Sequence, residues 1–122
     1  MKFFVIAKRD NVLPASEFTQ LLVSRWAGTK VMQVKESESP LALEFRTPMQ
    51  HSRLDGSLNR RGSCIAFVAD LPDCAEFAHW CRSIVPPHEP LLFCDEGMSG
   101  KVELEPTMMA TDILRAFQAG GG

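Results

Sequence analysis

Between Lys30 and Ala69 the chain carries extended-looking runs in succession, with nothing helical between them. Lys30 to Lys35 sets Val31 and Gln33 against Met32 and Val34, and after the breaker ESESP the residues Leu41, Leu43 and Phe45 alternate with Ala42, Glu44 and Arg46. Leu54, Gly56 and Leu58 then share one side of a segment whose other side carries Arg53, Asp55 and Ser57, and CIAFVA (64–69) is rich in β-formers. A period of two places successive side chains on opposite faces, so each run predicts a strand. Neighbouring strands joined by short turns predict a largely antiparallel sheet, with helices gathered on one face or at one end.

The last of these turns lies in SRLDGSLNRRGS (52–63), which has two glycines and three arginines and so raises the question of a phosphate cradle. Such a cradle leads from a strand into a helix, so that free N–H groups and the helix dipole face the anion. Here Gly62 leads into a strand instead. Asn59-Arg60-Arg61-Gly62 suits a type I turn followed by a left-handed glycine, with Arg60 and Arg61 exposed at a hairpin tip.

The remaining elements flank this block. Phe3 to Ala7 is a short apolar run that reads as a strand buried on both faces. Leu13-Pro14 opens a helix in which Phe18, Leu21, Leu22, Arg25 and Trp26 recur at helical spacing before Gly28. Asp70-Leu71-Pro72-Asp73 starts a second helix, with Cys74, Phe77, Ala78, Cys81, Ile84 and Val85 on one face, Trp80 widening it, and Pro86-Pro87 ending it. Leu91 to Cys94 is a strand, residues 95–100 form a turn, and Val102 and Leu104 mark another strand. Thr111-Asp112 opens a last helix with Ile113, Leu114 and Phe117. The expectation is a two-layer α+β domain over residues 1–118, with about seven short strands and three helices, and a flexible Gly-rich tail at 119–122.

At 122 residues the chain has the size of one domain, and a net charge of -2 gives no electrostatic reason to expect nucleic acid or an anionic membrane as partner. The apolar run near the start is interrupted by Lys8, Arg9 and Asp10, too early for an export signal, and no stretch reaches the length of a membrane span. The expected location is therefore cytoplasmic. Cys64, Cys74, Cys81 and Cys94 form no CxxC pair and stand at no zinc-finger spacing from a histidine, which predicts reduced core thiols, no metal and no cofactor. His51, His79 and His88 lie far apart without a nucleophile motif, so no catalytic residue is assigned.

Charge is uneven along the chain. Arginines concentrate between Arg46 and Ser63, whereas acids concentrate after Pro86, where Asp95 and Glu96 share a turn and Glu103 and Glu105 project to one side of the next strand. Opposite patches of this kind steer a protein partner and fix its register. Asp95, Glu96 and Glu103 are accordingly the candidates for a partner-binding edge. The alternative is a small-molecule-binding or enzymatic pocket between sheet and helices near Trp80, Arg82 and Asp95. A homodimer joined through an exposed strand is a third possibility.

The C-terminal half resembles a recurrent pattern in small, largely uncharacterised bacterial proteins. Its elements are the DGSL turn (55–58), a helix ending in W-x-R-x-x-V-P with Trp80, Arg82, Val85 and Pro86, the turn Asp95-Glu96-Gly97, and V-x-L-x-P at Val102, Leu104 and Pro106. The resemblance implies a bacterial cytoplasmic protein, and such stand-alone domains look like those found beside toxin genes, where they act as immunity proteins. It implies a non-enzymatic protein-binding domain that neutralises a cognate toxin.

Overall fold

The computed structural model describes residues 1–121, with side-chain burial described through Ala119. In chain order the elements are β1 (Phe3–Ala7), α1 (Ala15–Arg25), β2 (Lys30–Gln33), β3 (Leu41–Pro48), β4 (Arg53–Asn59), β5 (Cys64–Val68), α2 (Leu71–Ile84), β6 (Leu91–Asp95), β7 (Lys101–Glu103) and α3 (Ala110–Gly121). The seven strands form one sheet in the order β2-β3-β4-β5-β1-β6-β7, antiparallel at every neighbouring pair. This is the expected α+β architecture. Because β5 and β6 both run antiparallel to β1, they run parallel to each other, and α2 is the crossover that carries the chain past β1. Of the expected tail at 119–122, the trace continues α3 to Gly121, and Gly122 lies outside the described residues.

Register decides which side chains form the core. Phe45, Gly56, Phe67, Phe3 and Asp95 follow one another across neighbouring strands and so share one face, the inner one. All three helices pack there: Phe18 of α1 lies 5.4 Å from Phe45, Phe77 of α2 lies 4.9 Å from Phe67, and Phe117 of α3 lies 5.2 Å from Phe93, measured between ring centroids. Aromatic pairs at these separations contribute beyond the area they bury. Trp80 closes the same cluster, 5.6 Å from Phe18 and 5.2 Å from Trp26.

Two glycines are dictated by close approach. A Cβ on Gly56 would stand 2.5 Å from the Phe45 ring, so the ring crosses the sheet only where β4 has no side chain. Gly62 has φ +66°, the left-handed conformation expected of it, and the Asn59 Oδ1 accepts the N–H groups of Ser63 at 2.8 Å and Cys64 at 3.0 Å. The β4–β5 hairpin thus closes as the sequence predicts.

The outer face differs from expectation. Phe4, Ile6, Ala66, Cys64 and Leu92 point there, and all are half-buried rather than buried. β1 is therefore covered on one face only, because among the described residues no helix lies on the other. Among the described residues no helix is long and apolar enough to cross a membrane.

Candidate partner-binding surface

The sheet register assembles the outer surface. Across its middle run Met32, Glu44, Ser57, Ala66, Phe4, Cys94 and Lys101, and beside that row Cys64, Ile6, Leu92 and Glu103. An apolar strip on β5, β1 and β6 is therefore flanked by polar and charged side chains on both sides. Exposed Val68 extends the strip, whereas Cys94 is fully buried between its neighbours. On the basic flank Arg46 and Arg53 converge on Asp55, at 3.5 and 3.2 Å.

The candidate acids have different fates. Asp95 is 5% exposed and faces inward beside Phe3. Its carboxylate accepts the Ser99 backbone N–H at 3.0 Å and the Ser99 hydroxyl at 2.8 Å, and its backbone carbonyl accepts the Met98 N–H. The Ser99 hydroxyl holds the carboxyl below the usual aspartate range, against the opposing effect of burial. Asp95 is therefore spent on its own turn, which corrects its reading as a contact residue. Glu96 is exposed beside the chain start, where its carboxylate accepts the Lys2 N–H at 3.3 Å. Glu103 is exposed on the outer face of β7, opposite Leu92. The expected acidic edge is thus split, with Glu96 and Glu103 at opposite ends of β6.

The alternative pocket is divided in the same way. Trp80 belongs to the aromatic core, Arg82 stands near the start of β6 and Asp95 forms its end. Arg82 is 5% exposed and donates to the carbonyls of Glu89 (2.8 Å), Pro86 (2.6 Å), Val85 (3.3 Å) and Leu104 (3.3 Å). It gathers the carbonyls beyond the end of α2 and ties them to Leu104, just after β7, a structural use of the guanidinium's fixed fork. Burial lowers its pKa, partly offset by Glu105 and Glu89. Only its Nε lacks a partner.

A cleft of about 610 Å³ does open beside Arg82, lined among others by Lys8, His88, Glu89, Glu103 and Glu105. Glu89 is buried to 5% exposure and ion-paired with Arg9. The hydrogen bond from Arg9 pulls the Glu89 carboxyl below its ordinary range, against the effect of burial. The deepest acid of the cleft is thus already matched by a base of the same chain.

The burial of two acids escaped the sequence reading. Asp73 is 2% exposed, accepts the Ser52 hydroxyl at 2.6 Å and the His51 N–H at 3.1 Å, and so pins the β3–β4 turn to the start of α2. Glu89 is the other. Neither has a local motif, because their partners lie 21 and 80 residues away.

Comparison of the chain with protein-family profiles, with curated proteins and with solved structures finds no match. The reading of function therefore rests on the surface just described.

Proposed function

We propose that the chain is a non-enzymatic protein-binding domain of the immunity type, a bacterial cytoplasmic protein that covers the active site or entrance of a cognate toxin. The observation that carries this reading is the open outer face of the sheet, where Phe4, Ile6, Ala66 and Leu92 form an apolar strip bordered by charges. An apolar centre with a polar rim is the anatomy of a protein interface. Glu103, beside Leu92 on that face, supplies an acidic border for a basic toxin, and Glu96 stands beyond the far end of the strip. The pocket reading ranks second. It is favoured by the cleft beside Arg82, but Arg82 is engaged by four carbonyls and Glu89 by Arg9.

The test is co-purification with the product of the neighbouring reading frame, followed by calorimetric titration. Immunity function demands tight binding, and nanomolar affinity corresponds to about -12 kcal/mol. Ile6→Lys with Leu92→Lys places two charges on the strip and is expected to abolish the titration, while Glu103→Ala weakens it by about 1 to 2 kcal/mol as a rim charge. Thermal melts confirm that each variant is folded. Unchanged binding by the double lysine variant would remove the outer face from the interface.

A further inference from the structure

The sheet ends on one side at β2, whose outer edge is unpaired among the described residues. The Val34 N–H donates to the Ala42 carbonyl at 2.9 Å, continuing the β2–β3 ladder beyond Gln33. Since donors alternate sides along a strand, Lys30, Met32 and Val34 turn their backbone groups toward β3, and Val31, Gln33 and Lys35 turn theirs away from the sheet. Beyond the end of β2 at Gln33, one Arg60 nitrogen reaches the carbonyls of both Val34 (3.1 Å) and Glu36 (3.0 Å), so these alternate carbonyls face the same side, as they do in β2, before the turn that the Ser39 N–H closes on the Glu36 carbonyl. The free edge is thus a hydrogen-bonding template.

Its side chains are charged in a particular order. Lys30 stands directly opposite Arg46, a like-charge pair that destabilises a sheet. Arg46 is drawn to Asp55, and among the described residues Lys30 and Glu36 have no ion-pair partner. Met32 is 60% exposed between them.

We propose that two copies of the chain pair antiparallel through β2, centred on Gln33, to make one continuous sheet across a twofold axis. In that register Gln33 meets Gln33 and Val31 meets Lys35, which are the residues whose N–H and C=O groups are free. On the outer face Glu36 of the second copy meets Lys30, and Val34 of the second copy meets Met32. The row then reads Glu36, Lys30, Arg46, Asp55, and the second acid relieves the Lys30–Arg46 repulsion. Moving the centre to Met32 brings Met32 against itself and pairs Lys30 with Val34, which provides no such relief. This pairing is independent of the toxin reading and leaves the apolar strip uncovered. An interface of one short strand is small, so the dimer is reversible and concentration-dependent.

Sedimentation velocity across a concentration series tests it. Wild-type protein is expected to shift from the 13.6 kDa chain mass toward twice that value as concentration rises. Gln33→Pro removes a donor that makes no bond to β3 and should weaken the association at least about tenfold. Glu36→Lys should do the same by facing Lys30 with a like charge, and the double variant Lys30→Glu with Glu36→Lys should restore the dimer. A thermal melt of each variant shows that its monomer is folded. Wild type that stays at the single-chain mass, a dimer that survives both single variants, or a double variant that fails to reassociate would each overturn the proposal. Survival would place the contact on another surface, such as the outer strip.

Discussion

The two faces of β1 are one residue apart in sequence and different in consequence. Phe3, Val5 and Ala7 enter a sealed layer of aromatic rings beneath three helices, whereas Phe4 and Ile6 meet no second layer and stay half-buried. Hydrophobicity alone does not separate them. What separates them is the register with β5 and β6, which aligns Phe3 with Phe67 and Phe4 with Ala66. The inner face is therefore where stability is concentrated, and the outer face is where an apolar residue can serve contact at small cost to folding.

The largest expected effect measures that contrast directly. Phe77 is fully buried and touches Phe45, Phe67, Trp26 and Trp80, so Phe77→Ala should cost about 3 to 5 kcal/mol as transfer and cavity terms add. Phe4→Ala on the outer face should cost about 1 to 2 kcal/mol, since only part of its area is removed from water. Urea unfolding of the two variants reads both values, and equal costs would make the outer face a second core. Gly56→Ala comes next. Its Cβ would meet the Phe45 ring at 2.5 Å and the Ala66 carbonyl at 3.1 Å, so overpacking should cost about 1 to 3 kcal/mol despite the gain in strand propensity.

The cysteines divide along the same boundary and bring pH into the comparison. Burial raises the Cys81 thiol well above its ordinary value and pushes Cys74 up to about 12, both in α2 beneath the sheet. Their folded pKa values are raised, so the stability they contribute is intact below the ordinary thiol value of 9.0 and is lost as pH rises above it, because the unfolded chain ionises first. Each such thiol adds a slope of about 1.4 kcal/mol per pH unit over that range. Unfolding midpoints followed from about pH 8 upward should fall less steeply for Cys81→Ala than for wild type. Half-exposed Cys64, on the outer face, should react with a thiol reagent first and Cys81 last.

Much of the inner face was legible in sequence because its causes are local. The period of two across Leu54, Gly56 and Leu58, the helical spacing of Cys74, Phe77 and Cys81, and the Asn59–Gly62 turn each depend on residues a few positions apart. Strand order is different: nothing near Phe3 says that β1 lies between β5 and β6, and that placement alone decides that its second face lies open. The inward turn of Asp95 was hidden for a related reason. Asp95 has the composition of an exposed acidic turn, but the serine four residues on captures its carboxylate, and that spacing was the available signal. Asp73 and Glu89 offered none, because their partners are distant in sequence.

The smallest expected effect concerns the hairpin tip, where surface position and sequence both suggest that arginine is dispensable. Arg61 is exposed, and no described side-chain hydrogen bond or ion pair holds its guanidinium. Arg60 is exposed as well, yet it donates to the carbonyls of Leu41 (2.8 Å), Ser39 (3.0 Å), Glu36 (3.0 Å) and Val34 (3.1 Å), closing the loop between β2 and β3. Charged hydrogen bonds to carbonyls exceed neutral ones, but here water competes for the donors and the loop carbonyls remain solvated when the arginine is removed. Arg60→Ala should therefore cost about 1 kcal/mol and Arg61→Ala nearly nothing, both read from urea midpoints. The more informative readout is amide exchange. Loss of Arg60 frees the path of residues 34–36, so protection should fall at Val34, whose N–H bonds Ala42, and stay unchanged at Ile65 in the sheet centre. Equal stability and equal exchange in the two variants would mean that β2 holds its extended edge without Arg60, and that its order comes from the β3 ladder alone.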